Sequence, residues 1–154
     1  MRSEILKNEY HLERHPEGGW FSESYTSQDL KDQRSLAGSI YFLLEKNDIS
    51  HFHQIDCDEL WYIHEGCGLK ITSIEDGKLK EYYLGMNEGQ NAMVLLPKGA
   101  IFAAENIDKE SYTFISCATV PKFSYEGFRL VLQDEIKKSF PDFPEELLYL
   151  AFEK

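Results

Sequence analysis

The segment HFHQIDCDELWYIHEG, residues 51–66, contains three of the five histidines of the chain. His51 and His53 are two positions apart, so on a β-strand both imidazoles are predicted to share one face. Glu59 begins the next strand after a turn and is predicted to face them. Two imidazoles and a carboxylate can bind a divalent metal, exchange protons with an organic ligand, or merely satisfy one another as polar groups of a hairpin.

Proton transfer beside a carbonyl needs a base with a pKa near neutrality and an acid on the opposite face of the substrate. Histidine meets the first requirement, so we predict His53 as the base and Glu59 as the group that polarises it. Tyr41, on the strand segment SIYFLL, is the predicted proton donor if it points inward. Burial and a neighbouring charge shift these pKa values in opposite directions, so the sequence leaves open whether His53 or Glu59 carries the proton.

Residues around this cluster supply candidate contacts to a ligand. The predicted ligand-contacting residues are His51, Trp61, Phe102, Glu23, Tyr25 and Gln90. Trp61 and Phe102 are equally reasonable as core residues. His64 lies on the opposite face of its strand and is expected to be exposed or supporting, while His11 and His15 are expected to be surface or capping residues.

Short runs rich in Val, Ile, Tyr, Phe and Thr separated by turn residues are typical of antiparallel β-structure. The clearest predicted strands are residues 39–45, 59–65, 69–75, 78–84, 92–97 and 112–120. Asp76-Gly77 between two of them predicts a tight hairpin. A short helix is expected in the first ten residues, and a second one should start at Pro144. This pattern favours one domain over residues 1–154, folded as a double-sheet jelly roll or barrel.

The charge of the chain argues against several classes of partner. Sixteen Lys and Arg against 27 Asp and Glu give a net charge of −11, which repels phosphate backbones and anionic lipid surfaces. No apolar run resembles a secretory signal or a membrane span, so a cytoplasmic protein is expected. The three cysteines lack the number and spacing of a disulfide framework or a zinc knuckle.

The His/Glu segment also fits the pattern H-x-H-x5-E-x6-G and resembles the first motif of the cupin superfamily. In that motif the two His and the Glu usually bind a divalent metal inside a jelly roll. The later segment GQNAMVLLPKGAIFAAEN resembles the second cupin motif through Gly89, Pro97, Gly99 and Asn106. Phe102 stands where the second motif has a histidine, so a metal would lose one usual ligand.

A more specific resemblance is to the cupin_5 group, also called DUF985, whose members are commonly labelled predicted sugar epimerases. The matching segments are HPEGGWFSESY (15–25), SIYFLL (39–44), SHFHQIDCDELWYIHEG (50–66), LLPKGAIFAA (95–104) and CATVPKFSYEGF (117–128). Lys122 replaces a usual glycine, which is expected to affect only a turn, and Phe102 replaces a usual tryptophan. The segment GWFSESY is also similar to a ligand-binding strand of deoxysugar-nucleotide 3,5-epimerases.

The resemblance implies a cupin jelly roll with short terminal helices, a homodimer, and a pocket for a sugar, a nucleotide sugar or a related metabolite. We predict a metal-independent epimerase or isomerase with His53 as base; a divalent metal is possible but not favoured. One alternative is a metal-dependent oxygenase or isomerase that uses His51, His53 and Glu59 as ligands for iron, manganese, nickel or zinc. Another is a non-catalytic metabolite binder or sensor.

Overall fold

Thirteen β-strands make up nearly half of the computed structural model, which describes all 154 residues. The strands are β1 (Glu13–Arg14), β2 (Trp20–Thr26), β3 (Leu30–Lys31), β4 (Arg34–Ser35), β5 (Gly38–Glu45), β6 (Ile49–Ile55), β7 (Asp58–Gly66), β8 (Leu69–Glu75), β9 (Lys78–Leu84), β10 (Met93–Leu96), β11 (Ile101–Asn106), β12 (Tyr112–Val120) and β13 (Phe128–Leu130). The helices are α1 (Arg2–Glu9), α2 (Gln133–Ser139) and the 3₁₀ helices Tyr125–Gly127 and Glu145–Leu150.

Two antiparallel sheets enclose the main core. One has the order β1-β2-β5-β12-β7-β10 and the other the order β13-β6-β11-β8-β9, while β3 and β4 form a separate small hairpin. Apolar side chains such as Phe42, Trp61, Ile71 and Phe102 fill the space between the sheets. This arrangement confirms the predicted mainly-β jelly roll.

The hairpin between β8 and β9 forms as predicted. Glu75 pairs with Lys78, which leaves Asp76 and Gly77 as a two-residue turn. Their φ angles are 51° and 74°, the positive values that this type of hairpin turn requires.

Helical segments cover the outer faces of the sheets. Leu6 of α1 packs against Leu43 and Phe114 on the six-stranded sheet. Residues of α2 and of the last 3₁₀ helix pack on Phe52 of the five-stranded sheet. The helix expected to start at Pro144 is therefore present, but with 3₁₀ geometry. No helix of the structure is both long and apolar enough to span a membrane.

Strand β11 is absent from the clearest predicted strands, although it lies at the centre of the five-stranded sheet. It pairs with β6 on one side and β8 on the other, and every one of its residues is buried. Its sequence, IFAAEN, ends in residue types that are depleted in strands, so local propensity gives a weak signal there. Burial on both faces, rather than propensity, explains this strand.

Candidate functional site

A cavity of about 250 Å³ opens between the two sheets. Two histidines and two glutamates among its lining residues, His15, Glu17, His53 and Glu59, are each at most 7 % exposed. Aromatic and aliphatic side chains such as Phe21, Ile40 and Phe123 contribute much of the remaining wall. Buried titratable groups in a concave, largely apolar pocket are the usual signature of a ligand-binding or active site.

The imidazole of His53 is held in one tautomer by its own strand. Its Nδ1 lies 2.7 Å from the backbone oxygen of His51, which can only accept, so Nδ1 carries the proton and donates it. Neutral His53 therefore has its lone pair on Nε2, which lies 3.4 Å from Oε2 of Glu17. Burial lowers the pKa of His53 below its ordinary value. The side chain is thus a neutral imidazole, held in one orientation inside the cavity.

Glu59 approaches the same cavity from the other sheet, on β7. The indole Nε1–H of Trp61 donates to Oε1 of Glu59 at 2.6 Å. Burial, and then the nearby Glu17, raise the pKa of Glu59 to about 7, although His53 acts in the opposite direction. Near neutral pH the carboxyl is therefore divided between its acid and base forms.

Trp61 and Phe102 support these two groups rather than line the cavity, which corrects their prediction as ligand contacts. Both are fully enclosed in the core, with exposures of 1 % and 0 %. The Phe102 ring packs on the His53 imidazole, with centroids 4.2 Å apart, because the two residues are paired neighbours on β11 and β6. Trp61 holds Glu59 through its indole.

His51 does not line the cavity, contrary to the prediction. Its ring stacks on Phe152 with centroids 3.7 Å apart, and its Nδ1 donates to the backbone oxygen of Glu17 at 2.7 Å. The turn through Glu17 and Gly18 fills the space in front of the ring. A shared strand face therefore does not bring His51 and His53 to the same ligand.

The predicted metal set His51, His53 and Glu59 is consequently not assembled. No group of three or more His, Cys, Asp or Glu side chains has an arrangement that could hold a metal ion. The first cupin motif is present in the sequence, but only His53 and Glu59 of its side chains share the cavity, because His51 packs on Phe152. The residues of this chain do not fit the metal centre that the motif implies.

His15 and Glu17 are the cavity residues that the sequence reasoning missed. His15 was expected at the surface, yet it is 7 % exposed, and its Nδ1 lies 3.2 Å from Oε1 of Glu17. The Ser50 hydroxyl donates to Oε2 of Glu17. Burial raises the pKa of Glu17 and lowers that of His15. The available signal was the Gly18-Gly19 pair, because consecutive glycines mark a tight turn or a close backbone approach.

Two further predicted residues lie away from the cavity. Tyr41 points to the outer face of β5, where its ring packs on Tyr10 at 4.6 Å and on Phe114 at 5.6 Å. Its neighbour Ile40 faces the cavity instead, so the inward parity assumed for Tyr41 is wrong. The side-chain oxygen of Gln90 accepts from a backbone N–H within its own loop, outside the cavity.

The mouth of the cavity carries the predicted residues Glu23 and Tyr25. Lys122 stands beside them, with its Nζ 3.4 Å from each carboxylate oxygen of Glu23. Its aliphatic stem lies against Gly38, where a Cβ would meet it at 2.7 Å. The replacement of glycine by Lys122 therefore changes the cavity mouth, whereas only a turn effect was expected. His64, as predicted, lies on the opposite strand face and is exposed.

Gly18→Ala is expected to lower the free energy of unfolding by about 2–3 kcal/mol, since alanine is strained at φ +111° and its Cβ would lie 1.9 Å from the Ile49 oxygen. Gly89→Ala is the matched control, because Gly89 has φ +80° with nothing within 4 Å. Strain alone should cost this control about 1 kcal/mol. Urea titrations compare the two variants, and equal losses would contradict a turn pressed against β6.

Comparisons with known proteins agree with this architecture. The Cupin_5 family, described as Cupin superfamily (DUF985), matches residues 4–131. The uncharacterized protein YML079W of Saccharomyces cerevisiae is 27 % identical over 169 residues, which cover 95 % of this chain and 84 % of that protein. The crystal structure of SO0799 from Shewanella oneidensis superposes with a TM-score of 0.91 and 31 % identity, covering 97 % of this chain and 96 % of the other.

A more distant structure shares the fold. Oxalate decarboxylase from Bacillus subtilis aligns with a TM-score of 0.62 and 16 % identity, covering 96 % of this chain and 38 % of the longer enzyme. At that identity the similarity concerns the fold alone. The family match extends over most of the sequence and includes every titratable residue of the cavity. The chain therefore belongs to the Cupin_5 family of the cupin superfamily.

Proposed function

We propose that this chain is a metal-independent epimerase or isomerase that moves a proton at a carbon beside the carbonyl of a small sugar-like metabolite. The observation that carries the proposal is the fixed tautomer of His53, whose unprotonated Nε2 is available inside a cavity that also contains two buried carboxyls. The common description of cupin_5 proteins as predicted sugar epimerases supports the same reaction class.

In the proposed reaction Nε2 of His53 takes the carbon-bound proton. The C–H electron pair moves into the bond to the carbonyl carbon, and negative charge develops on the carbonyl oxygen. Glu59 belongs to the opposite sheet, and its pKa of about 7 allows it to return a proton to the other face of the carbon. As the electron pair returns from the oxygen to the carbon, the carbonyl is restored. His53 then releases the proton that it removed to solvent, and Glu59 takes up a proton from solvent, so both groups return to their starting states.

The size of the cavity favours a small ligand. Its volume of about 250 Å³ lies below the range of roughly 300–1,000 Å³ that is usual for drug-sized ligands. A monosaccharide-sized group suits such a space, whereas an entire nucleotide sugar would have to leave its nucleotide outside. We therefore propose that the reacting sugar ring occupies the cavity, and we assign no second binding site to the rest of the substrate.

To test this proposal, the protein is incubated in D₂O with each of a panel of ketohexoses and amino-ketohexoses, and the incorporation of deuterium into the sugar is followed by NMR. At least one should acquire deuterium beside its carbonyl, and His53→Gln should abolish that exchange because an amide cannot act as the base. Chelator treatment should leave the exchange rate unchanged.

Exchange that requires an added divalent metal would overturn the metal-independent mechanism. A sugar that raises the melting temperature of the protein but acquires no deuterium would instead indicate the non-catalytic binder. The His64→Gln variant is the control, since that histidine lies on the outer face of its strand.

A further inference from the structure

We propose that the ligand of this cavity carries a protonated amine, so that the substrate is an amino sugar or a comparable small carbonyl compound with an ammonium group. The inference rests on the proposed function for the carbonyl, but the amine is argued independently from the groups that line the cavity. The cavity wall contains three carboxyl side chains, Glu17, Glu23 and Glu59, and one ammonium, that of Lys122.

The deep end of the cavity contains an incompletely satisfied carboxyl. Glu59 is 7 % exposed, and the only protein hydrogen bond to it is the one from Trp61 to Oε1. Its Oε2 accepts no hydrogen bond from the protein, although buried carboxylates normally have a donor or a counter-charge. Burial lowers the pKa of both His15 and His53, so neither supplies that charge, and it also raises the pKa of Glu59 to about 7, so this carboxyl is only partly ionised when no ligand is bound. A ligand ammonium would supply both a donor and a charge and would favour the ionised form, and the proton shared within that pair is the one that Glu59 returns to the carbon.

Aromatic rings complete the environment that an ammonium prefers. The Phe21 ring lies 4.7 Å from His15, and the Phe123 ring lies 5.1 Å from Tyr125, all four in the cavity wall. The faces of such rings attract cations, and the attraction grows when the cation leaves water. A cavity wall that combines these rings with buried carboxyls therefore suits an organic cation better than an anion.

An anionic ligand finds no free cation at the mouth. The Lys122 ammonium is shared between the two oxygens of Glu23. Arg34, whose Nε donates to the backbone oxygen of Lys122, forms a bidentate pair with Asp56 at 2.9 and 3.0 Å. The net charge of −11 also attracts cations and repels phosphates at long range. These charges disfavour the nucleotide sugar that the sequence resemblance allowed.

Thermal shift measurements test the inference with four sugars that differ at one group: D-glucosamine, N-acetyl-D-glucosamine, D-glucose and D-glucuronate. D-glucosamine should raise the melting temperature most, because only it carries a positive charge, and D-glucuronate should have no effect. The shift should shrink as salt is added, since ions screen the attraction. An equal or larger shift with D-glucose, a shift with D-glucuronate alone, or no shift with D-glucosamine would overturn the inference.

Single substitutions test whether the carboxyl groups of the cavity bind the amine of D-glucosamine. Glu59→Gln, which keeps an acceptor for Trp61, should weaken D-glucosamine binding about tenfold or more by calorimetry, as expected for the loss of a charge-assisted hydrogen bond. Glu23→Gln should weaken it less, because that residue is exposed and already paired with Lys122. Glu88→Gln is the control with the same charge change at an exposed residue outside the cavity. Equal effects of all three would show a nonspecific charge effect and overturn the assignment.

The two proposals can fail separately. Binding of D-glucosamine without deuterium exchange into any sugar would leave an amine binder and remove the epimerase. Exchange into a neutral ketohexose, with no preference for amines in the melting experiments, would retain the epimerase and remove the amine.

Discussion

Glu59→Gln is expected to raise the free energy of unfolding by about 3 kcal/mol at roughly pH 8, where the buried carboxyl of the unmodified protein is ionised. The pKa of Glu59 is about 7 in the folded protein against an ordinary value of 4.5. A group whose pKa is raised by folding contributes its full stability below the unfolded pKa. That contribution is lost as the pH rises through the folded pKa.

Glutamine removes the ionisation but keeps an oxygen that can accept from the Trp61 indole. Urea titrations at about pH 5 and about pH 8 should therefore show a stabilised variant only at the higher pH. Glu17, His53 and the buried thiol of Cys117 are coupled electrostatically to Glu59, so the measured difference also includes the change in their own pKa values when the charge of Glu59 is removed. Equal stabilisation at both pH values would contradict a raised pKa at Glu59.

The Glu59→Gln prediction also implies that the features of Glu59 that lower stability are the ones that its proposed function needs. The same substitution that relieves the buried charge removes the proposed proton donor and the proposed partner of the ligand amine. Strained or charged groups that lower stability are common at sites where chemistry occurs. A variant that is more stable and inactive would support a functional role of Glu59.

Phe102→Ala is expected to lower the free energy of unfolding by about 3–5 kcal/mol, the usual cost of removing a fully buried aromatic ring. Phe102 is 0 % exposed and packs on both His53 and Trp61, with centroid distances of 4.2 and 5.8 Å. The empty space left behind would also loosen two neighbouring rings, the His53 imidazole, which is the candidate base, and the Trp61 indole, which donates to Glu59. Urea unfolding monitored by tryptophan fluorescence measures the loss.

Phe102→Leu is the matched control, because leucine retains most of the apolar volume. It should cost clearly less than alanine. Similar losses for both variants would mean that the ring-to-ring contacts, rather than the filled volume, stabilise this part of the core.

The fold could be predicted well from local patterns, because alternating hydrophobicity and turn chemistry act over short distances. The Asp76-Gly77 hairpin is a clear case, since both residues tolerate the positive φ that the turn needs. His53 and Glu59 were also placed correctly at the cavity. Their strand positions determine which way they face, and the two strands are adjacent in the sequence.

The remaining site residues depend on contacts that no local pattern encodes. Glu17 reaches the cavity through a turn held by Ser50, 33 positions away. His51 is covered by Phe152, which follows the last 3₁₀ helix near the end of the chain. Tyr41 was assigned to the wrong face of β5. Both faces of this strand are covered, so the alternation of residue types does not by itself tell which face points inward. In each of these cases a contact with a residue distant in the sequence determines where the side chain lies.

The atom that holds the His53 ring in place belongs to the main chain, two residues earlier on the same strand. Every amino acid at position 51 would provide that oxygen, so the orientation of the ring is insensitive to mutation of its own anchor. Substitutions can therefore change the surroundings of this imidazole without changing which of its nitrogens is protonated. An imidazole fixed in this way is well suited to a scaffold whose cavity changes over evolutionary time.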